Sequence, residues 1–143
     1  MTTEILKPVV VLAAWTAIMW FWLYATRIPA VKAANLDPER LVRDPGVTLD
    51  HVLPPQVQWV AHNYNHLHEA PTVFYATALT LALIGKGDGT AATVAWVYVA
   101  LRIVHSLVQV LGNKLTARFL VFALSSFALF TLIGMAALAL FKA

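Results

Sequence analysis

Four apolar stretches, each long enough to cross a bilayer, constrain this chain more tightly than anything else in it. About 20 residues of helix cover the hydrocarbon, and the stretches run from roughly Ile5 to Ala34, Trp59 to Ile84, Thr90 to Gly112 and Thr116 to Phe141. In lipid every backbone N–H and C=O needs an internal partner, so such stretches must be helices. Composition agrees: 60% of the 143 residues are hydrophobic and 12% charged, against about 45–50% and 25% in soluble domains. The first stretch lacks a small-residue cleavage site and exceeds the apolar region of a secretion signal, so it counts as a span. The expected fold is all-α, a single integral-membrane four-helix bundle over residues 1–143.

Two connections organise the bundle. The GKGDG turn at Gly85–Gly89 separates the second and third stretches, using glycines that leave helical geometry cheaply. Residues 35–58, with four prolines, form the only sizeable hydrophilic connection. That connection and the short break near Asn113 lie on one side of the membrane, with Arg27, Lys32, Arg40, Arg43, Lys114 and Arg118; only Lys7, Lys86 and Lys142 lie on the other. Basic residues favour the cytoplasmic side, so loop 35–58 is expected in the cytoplasm and both termini outside it, in a plasma or inner membrane.

The formal charge of +3 comes without a basic run, and a modest positive excess in a membrane protein sets topology. Nucleic-acid binding is therefore not expected. Cysteine is absent, which excludes disulfides, thiolate nucleophiles and cysteine metal sites. Any thiol chemistry must be brought by a bound molecule.

Helical spacing of three or four residues places side chains on one face. Arg102, His105, Gln109 and Asn113 form such a stripe in the third stretch, and His62, Asn65, Glu69 and Thr72 form another in the second. Both occupy the half of the membrane that adjoins the hydrophilic connection. Glu69 and Arg102 come out about 15 Å deep at ~1.5 Å per residue. Intramembrane charges pair or line functional cavities, so these two are expected to be partners or near neighbours. Arg27 and Arg118 converge on the same membrane face. Polar residues can serve only as glue between helices, worth about 0.6 kcal/mol each on average. Three arginines, a histidine and a carboxylate in one layer exceed what glue requires, and their net positive charge suits an anionic ligand.

At these residues the chain resembles a known family. LRIVHSLVQVLGNKLTARFLVF (Leu101–Phe122) is similar to the third-to-fourth helix region of the membrane-associated proteins in eicosanoid and glutathione metabolism, the MAPEG family. Microsomal glutathione transferase and microsomal prostaglandin E synthase are members. NHLHEAPTVFYA (Asn65–Ala76) resembles its second-helix signature, and RIPAVKAANLDPE (Arg27–Glu39) the region after its first helix. The likeness covers most of the chain and is to a bacterial-type member.

The resemblance implies a homotrimer of four-helix protomers among membrane lipids. It implies glutathione as the cofactor, held between subunits near the cytoplasmic face, with a lipophilic small-molecule substrate entering from the bilayer. The positions it associates with glutathione are Arg27, Asn65, Glu69, Arg102, His105 and Gln109, with Arg118 as the catalytic arginine beside the thiolate. A guanidinium near sulfur favours the anionic, nucleophilic form. The implied activity is that of a transferase or peroxidase acting on lipophilic electrophiles or lipid hydroperoxides. The alternative is a non-catalytic protein of the same fold that binds a lipid or other anion. Gln109 and Phe122 stand at family tyrosine positions, Phe119 follows the catalytic arginine where the prostaglandin synthase has serine, and the second-helix arginine is missing.

Other chemistries fit less well. His62, His66, His68 and His105 could serve a haem, and His62 with His66 could clamp a metal. Histidines near a helix entrance more often meet solvent or interfacial partners, so no metal site is expected. Transport is disfavoured because no inverted repeat and no pair of broken helices is visible.

Overall fold

Proline, asparagine and glycine mark most of the places where helices of this chain begin and stop, although Pro29 lies inside the first helix. The computed structural model describes residues 1–142. Helix α1 (Leu6–Ala33) carries Pro8 in its first turn, where the missing N–H would have no intrahelical acceptor in any case. Its chain turns away at Asn35, in left-handed geometry with φ 51°. The hydrophilic connection folds into two short helices, α2 (Pro38–Arg43) and α3 (Leu49–Val52). Asp37 caps α2 by accepting from the Glu39 N–H at 3.0 Å, which satisfies one orphan donor of the first turn.

The apolar stretch from Trp59 to Ile84 is not one continuous helix. It is divided between α4 (Pro55–His66) and α5 (Ala70–Leu83). Pro71 explains the division: it has no N–H to give to the Leu67 carbonyl, and its ring crowds that oxygen. The chain therefore turns over residues 67–69, with Glu69 at φ −93°, ψ −103°, and Pro71 falls in the first turn of α5, where the lost donor costs nothing. Broken-helix geometry, not visible in the apolar pattern, is thus present once. The polar stripe of the second stretch is cut between Asn65 and Glu69.

Helices α1, α6 (Thr90–Leu111) and α7 (Leu115–Phe141) are each long and apolar enough to cross a membrane, at 28, 22 and 27 residues. At ~1.5 Å per residue they measure about 42, 33 and 40 Å, against roughly 30 Å of hydrocarbon. Helices α6 and α7 pack side by side across the turn at Asn113. Helix α6 also packs on α1 and α4, and α5 on α1 and α7. The core is built where small residues let backbones approach: Ala78 on α5 and Ala91 and Ala95 on α6 lie among Leu12, Met19 and Leu81. Phe74 of α5 stacks on Tyr98 of α6 with ring centroids 4.5 Å apart. Large apolar side chains face outward, including Ile18, Phe21, Phe119, Phe127 and Phe130, as a lipid-facing or subunit-facing surface requires.

The end of the molecule at the α5–α6 turn is pinned by the N-terminus. Thr2 donates its N–H to Ala82 O at 2.9 Å, and its Oγ1 accepts from the Gly87 N–H at 2.7 Å. A Cβ on Gly87 would lie 2.5 Å from Ile5 Cγ2, so only glycine fits that close approach. The polar groups gather at the other end.

Candidate functional site

Helix α6 supplies the spine of the site, because its polar residues recur on one face and that face is inward. Arg102, His105, Ser106 and Gln109 are all buried. Ser106 is satisfied by α4: Asn63 Nδ2 donates to Ser106 Oγ at 2.6 Å, and Ser106 Oγ donates to Asn63 Oδ1 at 2.9 Å. Each bond needs its own hydrogen, so the pair is reciprocal and fixes α4 against α6.

Arg102 differs. It is 1% exposed, yet Nε, Nη1 and Nη2 have no hydrogen-bond partner among the described residues. Glu69 and Arg102 are not bonded partners, though both lie near the His66 ring as neighbours. Glu69 follows the break at residues 67–69, its side chain is 66% exposed, and its Oε2 accepts from His66 Nδ1 at 2.9 Å. Glu69 sits at the break that Pro71 imposes, and its carboxylate turns to His66 instead. Leaving a buried charged donor unsatisfied costs more than the ~1–3 kcal/mol of a neutral group, so a guanidinium in this position calls for an anion.

Arg118, in the first turn of α7, lines a cavity of about 210 Å3 with His66, His105, Leu115, Phe119 and Phe122. Its Nη1 donates to Asn113 Oδ1 at 2.6 Å, while its Nε is buried without a partner. Asn113 is left-handed at φ 47°, a conformation asparagine tolerates better than most residues, and this aims its amide at Arg118. The rings of His66 and His105 lie 4.9 Å apart, and Phe122 is 6.0 Å from His66 and 6.4 Å from His105.

Arg27 and Asn65 belong to a second cavity, of about 240 Å3, with Thr48, Leu49, Asp50, Ala61 and His62. Helix α3 forms part of its wall and is tied to α4 by two contacts. Gln58 donates to Leu49 O, and His62 Nε2 lies 3.2 Å from Asp50 Oδ1. Arg27 Nε is buried and unpartnered, as is Gln109 Oε1 on α6.

The residues singled out in the sequence therefore divide between two cavities and a buried helix face. Arg118 and His105 share one cavity, and Glu69 reaches its wall through His66. Arg27 and Asn65 share another, and Arg102 and Gln109 lie buried along α6. Sequence reasoning read His66 only as a haem or metal candidate and missed its place in the Arg118 cavity, Phe122 as a ring partner, and the Asn63–Ser106 pair. The spacing of His66 and Glu69 by three residues is the one signal that could have found the first. Among the described residues no cluster of three metal-ligating side chains occurs.

Comparison with known proteins supplies the frame for this geometry. No curated protein matches the chain. The model of the MAPEG family matches residues 5–138, which takes in α1, both halves of the interrupted helix, α6, and α7 nearly to its end. With three membrane-length apolar helices and a family match over nearly its whole length, the chain is an integral membrane protein and belongs to the MAPEG family.

Proposed function

We propose that the protein is a glutathione-dependent membrane enzyme of transferase or peroxidase type, acting on lipophilic electrophiles or lipid hydroperoxides. The observation that carries the proposal is Arg102, buried with three unpartnered guanidinium nitrogens, on the helix that also brings His105 to the Arg118 cavity. The donor set suits glutathione: two carboxylates match Arg102 and Arg27, and the ammonium matches an exposed carboxylate such as Glu69. Glutathione, when bound, supplies the nucleophilic thiol that this cysteine-free chain lacks.

The roles of the side chains follow from charge. Arg118 stabilises sulfur as the anion, and the α7 N-terminus adds positive potential beside it. Arg102 and Arg27 bind carboxylates, while Asn65 and Gln109 orient the peptide and His105 fills the wall behind it. Phe119 and Phe122 keep the cavity apolar on the side where a lipophilic substrate enters.

The division of donors between two cavities supports an intersubunit site. In the proposed assembly, a homotrimer of four-helix protomers, α4 and α5 together make the second crossing. The Arg27 cavity of one protomer then completes the Arg118 cavity of its neighbour. Loop 35–58 faces the cytoplasm and both termini lie outside it, as the distribution of lysine and arginine favours.

The second reading is a non-catalytic relative that binds a lipid or other anion, and the phenyl groups of Phe119 and Phe122 beside Arg118 favour it. Purified protein given glutathione with an aryl halide, and separately with a lipid hydroperoxide, separates the two. Turnover of either acceptor above the rate in empty micelles is expected. Binding of glutathione or anionic lipid without turnover would establish the second reading.

A further inference from the structure

His66 is the one titratable group in the wall of the Arg118 cavity to which the proposed function gives no role. We propose that His66 is the proton carrier of this site, accepting the thiol proton on Nε2 and delivering it to acceptors that become anionic when sulfur adds to them. The inference rests on the glutathione reading and deepens it. It names the substrate class as α,β-unsaturated carbonyls in lipid.

The geometry fixes the tautomer. An ionised carboxylate can only accept, so the 2.9 Å contact between His66 Nδ1 and Glu69 Oε2 places a hydrogen on Nδ1. The neutral imidazole then has its lone pair on Nε2, which makes no hydrogen bond among the described residues. Contacts on the ring faces hold its orientation. His105 lies 4.9 Å away at 36° and Phe122 lies 6.0 Å away. Asn63, one helical turn earlier on α4, is clamped to Ser106 of α6, so the backbone that presents His66 is anchored as well. His105 shares the cavity but has no carboxylate to set its tautomer. The charged and titratable groups around the His66 ring are Glu69 after the break, Arg102 and His105 from α6, and Arg118 from α7.

The proton transfer balances without any further reagent. The S–H bond of the bound thiol breaks with both electrons left on sulfur beside Arg118, and an N–H bond forms at Nε2. Sulfur then adds to the β-carbon of the unsaturated carbonyl, and the displaced electron pair moves toward the carbonyl. The α-carbon takes the proton from Nε2, which regenerates the neutral ring. An aryl halide needs no such delivery, because the departing halide carries the negative charge away.

Two measurements test the assignment. The first follows thiolate absorbance and proton release together as glutathione is added in weak buffer at about pH 8, where an ordinary imidazole is neutral. Wild-type protein should form thiolate while releasing well under one proton per thiolate, and His66→Gln should release one. The second compares acceptors: His66→Gln should slow addition to an enone by at least ~100-fold, the range of positioned proton transfer, and slow aryl halide conjugation less than ~5-fold. Thiolate formation in the wild type with full proton release overturns the role of His66 and leaves the glutathione reading standing. So does an equal loss on both acceptors. Absence of both binding and thiolate in the wild type overturns the two together. The wild-type proton count needs no variant, so a poorly folded His66→Gln would not spare the proposal.

Discussion

The imidazole of His66 donates through Nδ1 to Glu69 Oε2 at 2.9 Å, and Arg102 on the neighbouring helix is left without a hydrogen-bond partner among the described residues. The first contact belongs to the interruption of the helix at residues 67–69. Had the helix run on, Glu69 would stand about one turn from Asn65, on the face that adjoins Arg27 and not on the Asn63 face that meets α6. At the break its side chain stands largely in the open.

Arg102 should therefore trade stability for binding. Even buried ion pairs replaced by apolar side chains of similar volume leave stability unchanged or raise it by about 1–4 kcal/mol, and an unpartnered charge has less to lose. Arg102→Met should unfold at a higher temperature than wild type without ligand, and bind glutathione at least ~10-fold more weakly. A lower melting temperature of the unliganded variant in the same detergent would show that the guanidinium is already satisfied. Glu69→Gln, at an exposed site, should shift stability by no more than ~1 kcal/mol.

The Asn63–Ser106 pair should behave as a unit. Asn63→Ala leaves the buried Ser106 hydroxyl unpartnered, which costs about 1–3 kcal/mol. The double variant with Ser106→Ala should be less destabilised than the sum of the singles, because it removes both groups. Unfolding in denaturing detergent measures all three. Strict additivity would show that the two side chains do not exchange hydrogen bonds.

Pro71 should hold the break open. Pro71→Ala restores a donor to the Leu67 carbonyl and removes the ring that crowds it. Amide hydrogen exchange at residues 67–70 should slow as the two helices join, and the His66–Glu69 contact should be lost with the change in register. Unchanged exchange would mean that other contacts maintain the interruption.

The third stretch was legible in the sequence because its polar spacing survives as far as Gln109: Arg102, His105 and Gln109 lie on one inward face of an uninterrupted α6, and only Asn113 falls beyond it in the turn. Arg118 and His105 were legible as neighbours for the same reason, since only the short turn at Asn113 separates α6 from α7. The second stretch misled. Its residues keep helical spacing on paper, but Pro71 acts on the turn before it, so Glu69 leaves the stripe. The Asn63–Ser106 pair joins residues distant in sequence through packing alone, and neither position carries a local signal. His66 ends α4 beside the break, a feature the apolar pattern does not show, and only the approach of α6 and α7 makes it part of a wall.

Sidedness can be read with single cysteines, since the chain has none of its own. Asp44→Cys should resist impermeant maleimide added outside intact cells, and Gly87 should be probed at its neighbour with Asp88→Cys, which should react. Reaction at residue 44 and protection at residue 88 would reverse the proposed orientation.

The central claim is that Arg118 holds a thiolate. Near-ultraviolet thiolate absorbance on adding glutathione to the solubilised protein tests it most directly, compared between wild type and Arg118→Ala at matched saturation. One charge well placed against sulfur can supply the ~1.4 kcal/mol that lowers a thiol pKa by one unit. Wild type should show the thiolate band. Arg118→Ala should lose it and most turnover, while affinity falls by less than ~10-fold because the other arginines remain. An Arg118→Ala protein that keeps both the band and full turnover would contradict the assignment.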